Sequence, residues 1–114
     1  MDIKSAKDKW FKIRELIQTK FNKAPDISAI LFIIGMRELG VAHTNFTKEQ
    51  KVKLMHIAVC RVLSYSGHYK LIKTDKLGWP EWELVEKLPY QDLFEQETYL
   101  RHHIIHYFED EELI

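Results

Sequence analysis

Hydrophobic positions along the chain fall into four helical patterns and one alternating pattern. The most apolar stretch is Ile27–Leu39, ISAILFIIGMREL, in which every residue from Ala29 to Met36 is apolar or glycine. A helix without a polar face is one that its neighbours enclose, so a helix over about 26–39 is expected at the centre of the fold. Ahead of it, Ala6, Trp10, Ile13, Ile17 and Phe21 recur every three or four residues, predicting an amphipathic helix over about 5–22. Lys7, Lys9, Lys12 and Lys20 lie largely off that stripe. Val52, Met55, Val59, Val62 and Leu63, with Ala58 beside them, predict a third helix over about 48–66. Leu93, Leu100, Ile104, Tyr107 and Phe108 predict a fourth over about 92–108.

Polar punctuation supports these boundaries. Thr47-Lys48-Glu49-Gln50 fits the reciprocal capping box, while Ser5 with Asp8 and Asp92 with Glu95 approximate it. Lys23-Ala24-Pro25-Asp26 breaks the chain, and Pro25 suits the first turn of the helix that follows. Gly40 and Gly67 suit the left-handed residue just beyond a helix end. Gly35 is different, because glycine inside a helix costs roughly 1 kcal/mol against alanine. A second element crossing very close to Gly35 would explain it.

Between the third and fourth helices the period changes. Tyr69–Thr74 is short and strand-like, Asp75-Lys76-Leu77-Gly78 reads as a turn with glycine at a positive φ, and Trp82 and Leu84 alternate with Glu81 and Glu83. This predicts a β-hairpin over about 69–86, with Pro80 confining its second strand to an edge or to pairing beyond it. A lone hairpin is marginal in water and must lean on the helices or on another chain. The expected fold is therefore mainly α: one compact domain over 1–114, four helices with a β-hairpin inserted between helices three and four.

Charge and composition narrow the function classes. The 17 Lys and Arg balance the 17 Asp and Glu, so the basic excess typical of a nucleic-acid-binding domain is absent. The connector at 41–46 is also too long for a helix-turn-helix. The charge is nonetheless polarised: residues 1–57 hold 11 Lys and Arg against 6 Asp and Glu, and residues 58–114 hold 6 against 11. The acidic run Glu109-Asp110-Glu111-Glu112 sits where the helix dipole disfavours it, and the lysines of the first helix are the natural surface to hold it. A lone Cys60 cannot form an internal disulfide and suits a reducing compartment, the cytoplasm by default. The N-terminal MDIKSAKDKW lacks a signal-peptide core, and the apolar run at 29–36 is far short of the roughly 20 residues that span a bilayer. Trp10 and Phe11 on a basic helix would also suit a membrane surface, but Asp8 and Glu15 dilute that character and a core-facing stripe is the expectation.

Candidate chemistry is sparse. His102 and His106 are four residues apart on one helix face, with Glu109 in line, so the three side chains are candidate ligands for one divalent metal. Neither His-Glu-x-x-His nor Glu-x-x-His accompanies them. His103, at the edge of the core face, reads as a packing residue, and His56 as a hydrogen-bonded core or semi-buried one; His43 and His68 fall in loops. Cys60 lies mid-helix, where nothing activates a thiol, and no nucleophile elbow, dinucleotide fingerprint or phosphate loop is present. At the hairpin tip, Trp79, Pro80 and Trp82 form an aromatic cluster of the kind that anchors protein interfaces. Trp82 is expected to turn towards the core. The sequence thus favours a non-catalytic protein–protein interaction module, self-associating as a homodimer through the hairpin or binding another protein. A metal-binding protein using His102, His106 and Glu109 is the alternative.

Overall fold

The computed structural model describes residues 2–22, 25–41 and 45–114. Among the described residues the elements run in the order α1 (Ile3–Phe21), α2 (Ile27–Leu39), α3 (Lys48–Leu63), a hairpin of β1 (Tyr69–Thr74) and β2 (Pro80–Leu84), and α4 (Leu93–Asp110). A short 3-10 turn, Ser64–Ser66, closes α3. The chain divides into two compact units: Met1–Ala29 with Pro89–Ile114, and Ile30–Leu88. Lys23, Ala24 and His43 lie outside the described residues.

In the unit Ile30–Leu88, α2 is buried over Ile30–Met36 without interruption. Gly35 is where α3 comes closest. A Cβ on Gly35 would stand 2.7 Å from the carbonyl carbon of Leu54 and closer still to its oxygen. Backbone meets backbone, and only hydrogen fits. This contact also sets the rotation of α3. The buried positions centre on Leu54, with Ile57, Ala58 and Val62 following at helical spacing. Val52, expected in the buried stripe, lies about 200° round the helix from Leu54 and is 61% exposed. Glu38 and Arg61 pair across the two helices at 3.2 Å, and the Phe32 and Phe46 rings meet edge to face.

The hairpin leans on α3 through one face. Tyr69 pairs with Leu84 and Leu71 with Trp82 on that face, while Lys70 pairs with Glu83 on the other. A bulge between Leu71 and Lys73 then shifts the register, so that Lys73 meets Glu81 and the two charges share the polar face. The Tyr69 ring packs edge to face on His56 of α3. The turn forms as the residues require: Asp75 Oδ1 accepts from the backbone N–H of Leu77 and of Trp79, and Gly78 takes φ +89°.

In the other unit, α1 buries Ile13 and Ile17, and α4 buries Leu100, Ile104, Ile105, Tyr107 and Phe108. Lys9 Nζ reaches Glu109 Oε2 at 2.9 Å, so a first-helix lysine does hold the acidic end of α4. Glu112, at φ +55°, completes the stop, with the Leu113 N–H donating to the Phe108 carbonyl.

Caps differ from expectation in two places. The cap of α1 is Asp2, whose Oδ1 accepts from the Ser5 N–H at 2.7 Å, three residues ahead of the Ser5 start. A carboxylate accepts more strongly than a hydroxyl and suits the positive end of the helix. In α2, Asp26 Oδ1 accepts from the Ala29 N–H, so Pro25 precedes the cap rather than entering the first turn. The Thr47–Gln50 box and the Asp92 cap form as read.

Candidate functional site

Among the described residues, two surfaces and one cysteine–histidine pair hold the candidate chemistry. The first surface belongs to α1 and α4. The α1 stripe is buried at Ile13 and Ile17, yet Ile3 and Phe11 are exposed by 77% and 59%. On α4, Leu93, expected in the core, is 83% exposed and Phe94 78% exposed. Burial of α4 begins only at Leu100, almost two turns in, so its first turn projects beyond the buried stripe. Ile3, Phe11 and Phe94 line one open hollow of about 590 Å³, with half-buried Trp10 and buried Ile105 also in its wall. Its charged lining is wholly cationic: Lys7, Arg14 and Arg101, beside His102. Arg101 lies 5.1 Å from the Trp10 ring and donates to Glu97 at 2.9 Å. Sequence reasoning placed Phe11 only as a membrane-surface residue and gave Phe94 no role. The signal was present in the spacing, since Ile3, Lys7, Phe11 and Arg14 form a second stripe on α1 beside the buried one.

The second surface is the hairpin. Trp79, Pro80 and Trp82 are all half-buried. Lys53 Nζ stands 4.7 Å over the Trp79 ring, a cation–π contact that ties the tip to α3. The indole N–H of Trp82 is buried without an acceptor. The exposed apolar groups here are instead Leu71, Ile72, Leu77, Leu84 and Val85, from 47% for Leu71 to 83% for Leu77.

His102, His106 and Glu109 share a shallow hollow with His103. Glu109 is taken up by Lys9, and among the described residues no group of three His, Cys, Asp or Glu is arranged to hold a metal ion. Two imidazoles one turn apart fall short of the three or four protein ligands of a zinc site. His103 is buried, bonded through Nδ1 to the Tyr99 carbonyl at 2.7 Å. His68 is likewise buried, with Nδ1 3.2 Å from the Glu86 carbonyl, and ties the hairpin's end to its start.

The remaining pair is Cys60 and His56, four residues apart on α3, with Sγ and Nε2 3.4 Å apart. His56 is exposed rather than core or semi-buried, because position 56 lies outside the Leu54 face. A thiol beside an imidazole is the geometry of a nucleophile, but burial pushes the Cys60 pKa up to about 12. With no exposed surface at all, the sulfur is a neutral thiol that no substrate reaches.

No protein-family model, curated protein or solved structure matches the chain. Among the described residues no helix is long and apolar enough to cross a membrane.

Proposed function

We propose that the chain is a small, non-catalytic interaction module that takes a partner protein into the hollow between α1 and α4. The observation that supports this most is the exposure of Ile3, Phe11 and Phe94 around one hollow. Single exposed apolar residues are ordinary on a protein surface, whereas several gathered in one concavity mark an interface. Among the described residues the lining offers cations and apolar groups but no carboxylate and no activated nucleophile. A reducing compartment such as the cytoplasm suits the unpaired Cys60. The test is a photo-cross-linking residue placed at position 94 of the full chain in cells. A discrete protein adduct that disappears in a Phe11→Asp background is expected. The reading fails if no adduct forms, or if Phe11→Asp leaves it unchanged.

The hairpin supports a second reading, self-association. Leu71, Ile72, Leu84 and Val85 are each about half exposed, and among the described residues neither outer edge of the two-stranded sheet is paired. Its strands carry opposite charge, Lys70 and Lys73 on β1 and Glu81 and Glu83 on β2. Pairing β2 with β2 would set glutamates together, so the complementary match is β1 of one copy against β2 of another. Solution mass across concentration decides it: growth in mass that Leu84→Lys abolishes supports the hairpin, and a strict monomer removes it.

A further inference from the structure

Building on the groove reading above, we infer that the occupant of the α1–α4 hollow is an acidic amphipathic helix of the partner. The lining runs from Ile3 to Arg14 on α1 and from Phe94 to Ile105 on α4. Each run is three turns, about 16 Å long. A trough of that length between two helices accepts a third, whose apolar residues at i, i+3 or i+4 and i+7 lie between Ile3, Phe11 and Phe94.

Charge decides which helix. Arg101 is already held by Glu97 and by the Trp10 ring. Among the described residues, neither Lys7 nor Arg14 has an ion-pair partner, and no Asp or Glu lines the hollow. Carboxylates flanking the apolar stripe of an incoming helix would meet these two cations, while a basic helix would be repelled by all three. A bilayer fits less well, because half-buried Trp10 and buried Ile105 also lie in the wall of the hollow, where a flat lipid surface does not reach. A small molecule fits less well too, since an open trough leaves most of it in water where ligand pockets enclose their ligand.

The experiment uses a display library of helical peptides with a fixed apolar stripe and random flanking positions, selected on the full chain. Recovered peptides are expected to carry Asp or Glu at the flanks, to bind in a salt-sensitive way, and to weaken by about tenfold or more towards Lys7→Glu/Arg14→Glu. Phe94→Asp, a change at an exposed residue, should abolish them. Recovery of basic or uncharged flanks, recovery of nothing, or equal binding by Phe94→Asp would overturn the inference. So would insertion of the chain into phosphatidylglycerol vesicles in preference to any peptide. These outcomes are separable from the reading they rest on: a cross-linked partner at position 94 whose contact segment is not an acidic helix keeps the groove and removes its proposed occupant.

Discussion

The contact of α2 with α3 and the pairing of α1 with α4 are two ways for helices to use apolar surface. At Gly35 and Leu54 the two backbones close until no Cβ fits between them, and α2 keeps no exposed apolar residue from Ile30 to Met36. Along α1 and α4 the buried stripe does not take up all the apolar residues. Ile3, Phe11 and Phe94 remain outside it, lining a hollow whose charged groups are all cations. Close packing that excludes water is what a stable scaffold needs; apolar side chains left in water contribute little to stability and stay open to burial by another surface. The difference separates a closed frame from an open hollow that keeps apolar side chains in water.

The comparison breaks first at Gly35. Gly35→Leu should destabilise by about 3 kcal/mol or more, because the added atoms meet the Leu54 backbone rather than a movable side chain. Urea denaturation checks it, and a variant as stable as the parent would mean that the α2–α3 contact is not closed. Cys60 on the same α3 supplies a second probe. Its folded pKa of about 12 lies above the ordinary 9.0, so the folded chain holds this proton more tightly than the unfolded one. The associated stability is complete below about pH 9 and lost as pH rises towards 12. Parent and Cys60→Ala should therefore diverge in their denaturation midpoints across that window, and a thiol reagent at neutral pH should modify Cys60 only after unfolding. Parallel midpoints would remove the burial argument. The smallest effect belongs to the open region: Phe94→Ser should change stability by no more than about 0.5 kcal/mol, against about 2–5 kcal/mol for Leu54→Ala. Equal losses at the two sites would erase the distinction between frame and surface.

Much of the architecture was legible in residue order. Thr47 and Gln50, Asp92, Gly40 and Gly67, and the Asp75–Gly78 turn act within a few residues of themselves, so local chemistry was enough to place them. Gly35 was legible for a different reason: an unfavourable residue kept inside a helix implies a neighbour that needs the space. The candidate groove was not. Leu93 has the period of a core residue, and nothing local shows that the burial of α4 begins only at Leu100. Phe11 and Ile3 fall outside the α1 stripe, and only the fold places Phe94 on the same hollow.

By itself, then, the sequence determined the four helices, the hairpin, the Thr47 and Asp92 caps and the greasy run at 29–36, because each depends on periodicity and short-range hydrogen bonding. Tertiary structure decided the rotation of α3 about Leu54, the bulge that turns Lys73 onto the polar face, the capture of Glu109 by Lys9, and the choice of Phe11 and Phe94 as exposed. A helix has more apolar positions than one neighbour can cover. Which of them remain in water depends on where the neighbouring helix crosses, and that distance is set by side chains far apart in the chain.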